Sequence, residues 1–176
     1  MNRRTTFILS IMAALCLAVA LPAGNAVAQE KQHVSFKNPA ENSKYTQQVN
    51  LNVPDVPDHI MRAYEIHRTY PNNAPVINGL KLAESSEQGV GERIDGSGDG
   101  TSYVTYVMEN GDKFFVRQSL VIQNISGKTS ATVVGHITGG TGKFAQMRGL
   151  LRATANFDIK TGFNEAQTDI EYWTGK

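Results

Sequence analysis

Two alternating β-prone runs, TSYVTYVME and KFFVRQSLVIQ, flank the tripeptide Asn110-Gly111-Asp112. An Asn-Gly step between such runs is the strongest short-range hairpin signal, because a type I′ reversal needs positive φ at both central positions. It commits the middle of the chain to antiparallel β-structure, and the flanking segments repeat the pattern. Ser126-Gly127-Lys128 turns the chain into TSATVVGHIT, and Lys160-Thr161-Gly162 joins LLRATANFDI to FNEAQTDIEYW. HIMRAYEIHRTY places Ile60, Tyr64 and Ile66 on one face, interrupted by Arg62 and Arg68. GLKLAESSE is a weaker strand, and ERIDGSGDG ends in Gly, Ser and Asp residues that read as a turn. About eight runs of strand length with turns between them, and no convincing long helix, indicate an all-β fold. Consecutive hairpins favour a meander, and a meander of that size gains by closing, because closure removes both edges. The expected fold is therefore an eight-stranded antiparallel up-and-down barrel over 59–176, with Gly135 as a site for a bulge or bend. Residues 29–58 read as an irregular N-terminal arm. Pro54 and Pro57 forbid a regular helix there and disfavour a central strand, so 47–53 is its one candidate edge strand.

Residues 1–28 belong to a different kind of segment. Arg3 and Arg4 precede the apolar run FILSIMAALCLAVAL, then Pro22, small residues and Ala26-Val27-Ala28. This is the pattern of a secretory signal peptide with an A-x-A cleavage site, and the apolar run falls short of the roughly 20 residues a transmembrane helix needs. The AVAQ ending is of a bacterial type. The expected location is secreted or periplasmic, with no membrane attachment after cleavage. The single cysteine, Cys16, lies inside the apolar run behind Leu15, where a lipoprotein signal calls for a small residue. A mature chain starting at Gln29 would have no disulfide and would rely on its core, which a domain of roughly 150 residues can supply. Losing Arg3 and Arg4 takes the basic residues from 17 to 15 against 16 acidic ones, a net charge of −1. That balance gives no support to nucleic-acid binding, and no run of like charge suggests a membrane-surface patch.

The segment Gly139–Gly149, GGTGKFAQMRG, crowds glycines around a lysine as phosphate loops do. Its spacing rejects that chemistry. A Walker loop ending at Gly142-Lys143 would need glycine at Ile137 and a hydroxyl residue at Phe144, and a G-x-G-x-x-G from Gly140 would need glycine at Ala145. A strand-like run, LLRATANFD, follows in place of a long helix. The segment reads as a structured turn in which Thr141 caps KFAQM, Phe144 and Met147 share one side and close an end of the barrel, and Lys143 and Arg148 are solvated flanks.

HITGGTGKFAQMRGLLRATANFD resembles the G-GTGKF-x-x-x-RG segment of the dirigent and allene oxide cyclase barrel proteins, and NGDKFFVR and SGKTS are similar to bacterial members of that superfamily. The resemblance is specific from Gly127 to Asp158 and loose back to His59. It implies an eight-stranded barrel with a cavity along its axis, often assembled as a homotrimer or dimer. Plant members of that superfamily cyclise an epoxide or steer radical coupling inside the cavity. The matching motif is structural and carries no catalytic residue across.

The residues themselves offer few chemical constellations. His33, His59, His67 and His136 have no metal-ligand spacing, so no metal or other cofactor is expected. Asp95–Gly100, DGSGDG, has the composition of a calcium loop without its flanking helices. No nucleophile elbow is present. Polar side chains in the β-runs remain as candidate ligand-binding residues: Tyr64, Tyr106, Arg117, His136 and Tyr172, with Tyr64 and Tyr172 brought together if the first and last runs close the barrel. Three functions fit: binding of a small apolar or aromatic molecule, an isomerase or cyclase that works without metal, and a protein-interaction module using the arm or a sheet face.

Overall fold

The computed structural model describes residues 30–175. The expectation of a signal peptide at 1–28 falls outside them. The described chain forms ten strands: β1 Gln32–Asn38, β2 Ser43–Asn52, β3 His59–Thr69, β4 Val76–Ile77, β5 Leu80–Ile94, β6 Ser97–Met108, β7 Lys113–Ile125, β8 Lys128–Gly140, β9 Met147–Asp158 and β10 Phe163–Thr174. All belong to one antiparallel sheet in the order β1-β10-β9-β8-β7-β6-β5-β3-β2, with β4 paired to β5.

The all-β meander is as expected, and the arm is not. Most of 29–58 is strand, and it supplies both edges of the sheet. β1 pairs with β10 and β2 with β3, although only Pro39 and the single 3-10 turn Ala40–Asn42 separate β1 from β2. Because successive strands occupy opposite ends of the sheet order, the sheet curls until its edges meet. No backbone pairing joins those edges among the described residues, so the ladder is open where a closed eight-stranded barrel was expected. Side chains sew the seam. Arg68 Nη2 donates to Asn164 Oδ1 at 3.0 Å, Asn164 Nδ2 donates to the Tyr45 hydroxyl at 3.2 Å, and Tyr70 donates to Asn38 Oδ1 at 2.6 Å. The prolines do what their chemistry dictates: Pro54 and Pro57 lie in the β2–β3 connection, outside both strands.

Turn chemistry sets the register. Asn78-Gly79, Asp95-Gly96 and Ser126-Gly127 each put both central residues at positive φ, the geometry of two-residue hairpins. At Asn110-Gly111 only Gly111 does so, and the reversal widens to Glu109–Asp112. In DGSGDG the turn is confined to Asp95-Gly96. Ser97–Gly100 is strand, and a Cβ on Gly100 would come 2.7 Å from the Val90 carbonyl, so glycine lets β6 coil tightly against β5. The bulge in β8 falls at Thr138, between the pairs Phe115–Gly139 and Val116–Ile137, instead of at Gly135.

The interior is solid at one end. Ile77, Leu82, Met108, Phe114, Phe144 and Met147 are fully enclosed there. Phe114 stacks on Tyr106 at 4.5 Å between centroids and on Phe144 at 5.6 Å. The expected role of Phe144 and Met147 as an end closure holds, and Lys143 and Arg148 are exposed. Thr141 does not cap the turn that follows it. Its hydroxyl accepts the Lys113 N–H at 2.9 Å. The glycine-rich turn does hold an anion, but one from its own chain. Lys143 N–H donates to the Asp112 carboxylate at 3.2 Å, and a Cβ on Gly142, at φ +50°, would run into that carboxylate. Hydrogen bonds from Asn110 and Lys143 hold the Asp112 carboxyl below its usual range.

Candidate functional site

The unfilled part of the interior lies towards the end that carries the Asp95-Gly96 and Ser126-Gly127 hairpins. About 60 Å³ there is open to the centre of a water-sized molecule. The cavity has two unlike walls. On one, from β7 to β9, stand Leu120, Ile122, Val133, Leu151, Ala153 and Phe157. The opposite wall, from β2, β3 and β5, carries Tyr45, Arg62, Tyr64, Arg68, Glu87 and Arg93.

The polar wall follows from strand period. Residues two apart share a face, so Arg62, Tyr64, Ile66 and Arg68 all project inward from β3. The arginines that looked like interruptions of an apolar face belong to it. On β5 a register irregularity between Leu82 and Glu84 shifts the parity, which turns Ser85, Glu87 and Arg93 inward.

Glu87 organises this wall. Its Oε2 accepts Arg68 Nη1 at 2.8 Å, and its Oε1 accepts the Tyr64 hydroxyl at 3.2 Å, Ser102 Oγ at 3.0 Å and Gln118 Nε2 at 3.2 Å. Four donors on one buried carboxylate occupy its acceptor sites and fix its orientation. Burial opposes the charge on Arg68, and Glu87, Tyr70 and Tyr106 together outweigh it, so its pKa is raised. Burial first, and then the Glu87 charge, pushes the Tyr64 phenol far above its ordinary value, and burial does the same to Tyr106. Both tyrosines therefore stay neutral, and Tyr64 donates a hydrogen bond to Glu87.

Of the five candidates, the structure brings Tyr64 and Tyr106 together in the cavity. Tyr172 is buried at the solid end, where its hydroxyl accepts Asn78 N–H at 2.8 Å and donates to Gln32 Oε1 at 2.6 Å, so its role is to tie β10, β1 and the β4–β5 turn. Arg117 and His136 pair with each other across β7 and β8 on the outer face, both exposed, and do not reach the cavity. The neighbour of Arg117 in sequence, Gln118, is the inward residue. The groups that sequence reasoning missed are Arg62, Arg68, Glu87 and Arg93. Period-two counting from Tyr64 would have found the two on β3; the irregularity hides the two on β5.

A second cluster lies beside the cavity. His59 pairs with Ile94, next to Arg93. Its Nδ1 lies 2.6 Å from Asp55 Oδ1 and its Nε2 2.7 Å from Glu92 Oε1. Ionised carboxylates only accept, so both contacts are hydrogen bonds only when each ring nitrogen carries a proton, as in the imidazolium. The Asp55 hydrogen bond, with a further one from Glu92, raises the His59 pKa against burial, and His59 lowers that of Asp55. The stabilisation from His59 is complete below the ordinary histidine value and is lost as pH rises through the raised one. The Asp55 share is present above the ordinary carboxylate range and is lost as pH falls through the lowered value. The tether of the β2–β3 loop is thus whole in mildly acidic solution. NMR titration of the His59 ring should give a midpoint above those of histidines without carboxylate partners, and Asp55→Asn should lower it; an unchanged midpoint in that variant would contradict the assignment. Among the described residues no cluster of His, Cys, Asp and Glu is arranged to hold a metal ion.

No family model matches the chain, and no curated protein matches it. Among solved structures, the pterocarpan synthase dirigent protein PsPTS1 is similar with a TM-score of 0.50 and 18% identity, over 84% of this chain and 97% of that one. The pterocarpan synthase dirigent protein GePTS1 gives a TM-score of 0.48 and 18% identity, over 98% and 100%. At this identity the likeness to PsPTS1 shows a dirigent-like fold and nothing further.

Proposed function

We propose that this chain is an exported, dirigent-like β-barrel that holds a small molecule with an apolar or aromatic body in its cavity and releases it unchanged. The two-walled cavity carries the reading. One wall offers apolar surface for the body, and the other offers fixed polar groups that would set its orientation, the usual composition of a small-molecule site. The isomerase or cyclase alternative has less support, because the carboxylate in the cavity already accepts four hydrogen bonds and the tyrosines stay neutral. On this reading β1 and β2 act as one bent eighth stave beside the seven long strands.

A second reading, self-association as a dimer or trimer, draws on a different observation. Val49, Leu51, Met61 and Val90 are 59%, 62%, 50% and 57% exposed and line an outer groove of about 380 Å³ on β2, β3 and β5. Contiguous apolar surface of that kind on a soluble chain marks a contact site. Native mass spectrometry of the protein isolated from its producing cells tests both readings together. The expected species is an assembly of chains beginning at Gln29, carrying a non-covalent organic molecule whose mass is unaltered after long incubation. A protein that always emerges empty would overturn the binding reading, conversion of the molecule would favour the enzyme, and a monomer at all concentrations would remove self-association.

A further inference from the structure

Two arginines in the cavity have no partner equal to their charge among the described residues. Arg62 and Arg93 are 4% and 7% exposed and line the cavity from the inner faces of β3 and β5. Arg93 pairs with Ile60, two residues from Arg62, which makes the two arginines diagonal neighbours on one face. Arg62 Nη2 donates to Gln48 Oε1, while its Nε and Nη1 are buried with no acceptor. Arg93 Nε is also buried with none.

Aromatic rings hold both groups in place. The Arg62 guanidinium lies 5.0 Å and 5.4 Å from the ring centres of Tyr45 and Tyr64, and Arg93 lies 4.9 Å from that of Phe157. Ring contacts of this kind steady a cation and satisfy none of its N–H donors. Arg68, on the same strand as Arg62, shows the ordinary solution, with Glu87 at 2.8 Å. Among the described residues nothing comparable faces the other two. Glu92, next to Arg93 in sequence, is exposed and engaged with His59. Beside Arg62 the inner face is bare, because its partner on β5 is Gly91 and the residue opposite that on β6 is Gly100.

Fixed, buried, unpaired donors on two adjacent cations are among the costliest arrangements a fold can carry, and they match an anion with several acceptor oxygens. We infer that Arg62 and Arg93 form an anion-binding pair that receives the carboxylate of the cavity's ligand, with the ligand's apolar body against Ile122, Leu151 and Phe157. The inference rests on the binding reading above and narrows it to small organic acids. One of the free Arg62 donors, Nε or Nη1, would take one carboxylate oxygen, and Arg93 Nε would donate to the other.

Three probes separate the possibilities by calorimetric titration of the full mature protein: benzoate, benzyl alcohol and sodium sulfate. Benzoate is expected to bind at least tenfold more tightly than benzyl alcohol. Arg62→Gln and Arg93→Gln should each weaken benzoate about tenfold, the loss of one charge-assisted bond, and leave benzyl alcohol unchanged. Melting of the ligand-free protein adds a readout that a purely structural role would move the other way. Arg93→Met removes a buried charge without orphaning any acceptor, so its Tm should equal or exceed that of the parent. Benzyl alcohol binding as well as benzoate would overturn the anion inference and leave the binding reading standing. Sulfate binding as well as benzoate would overturn the claim that the ligand is an organic acid. No binding of any probe, with a lowered Tm in Arg93→Met, would overturn both the inference and the reading beneath it.

Discussion

Arg68→Met is expected to cost about 3–5 kcal/mol of folding stability, enough to consume a large part of what a typical domain has. The cause is what the substitution leaves behind. Glu87 is 5% exposed, and among the described residues Arg68 is the one cation bonded to it. Tyr64, Ser102 and Gln118 would still donate to the carboxylate but cannot neutralise it. Arg68 also bonds Asn164 across the seam, so the same change loosens the junction of β3 with β10. Denaturant unfolding should show a lower midpoint in Arg68→Met. The double variant Arg68→Met/Glu87→Gln should recover a good share of the loss, because a neutral amide replaces the stranded charge while Tyr64 and Ser102 keep an acceptor. A cost below about 1 kcal/mol in the single variant, the range of exposed pairs, would show that the pair is not buried in solution.

Phe144→Ala should be nearly as severe, about 3–5 kcal/mol, as for other buried aromatic rings cut back to a methyl group. Phe144 is fully enclosed and stacks on Phe114, which stacks in turn on Tyr106 in the wall of the cavity. Its backbone leaves little room for relaxation. Gly140, which a Cβ could not replace without meeting Phe144 Cβ at 2.7 Å, and Gly142, seated on Asp112, hold the turn rigid. The predicted signature is a lower denaturant midpoint with an unchanged slope, since the same surface is exposed on unfolding. Phe144→Leu, which keeps most of the volume, should lose less than half as much. Equal losses in the two variants would mean that the turn and not the ring closes this end.

Much of the fold could be read because it depends on short-range rules. Ser126-Gly127 turns at a Ser-Gly step with both residues at positive φ, and the alternation of TSYVTYVM and FNEAQTDIEYW survives as β6 and β10. The edges could not be read, because 29–58 contributes strands only through partners far along the chain, and its own pattern of polar residues reflects two exposed rims. The site was half legible for a similar reason. Tyr64 and Tyr106 attract attention by type, and a polar residue in a strand says nothing of its face until the register is known. Arg117 and Gln118 are adjacent and point to opposite sides, so an error of one position exchanges a cavity residue for a surface one. A single irregularity near Ala83 has the same effect on Glu87 and Arg93.

The pairing of β1 with β10 has a consequence in time. Gln32 meets Tyr172, separated by 140 positions, in both backbone register and side-chain hydrogen bond. Of the described strands, the first to be synthesised has its partner in the last. Until that strand arrives, the N-terminal segment can pair on one side only, through β2 and β3, and the cavity has no floor between β10 and the seam. Long loops of this kind slow folding, since their entropy is lost before their contacts reward it. The interior walled by these strands can close only once β10 has been made.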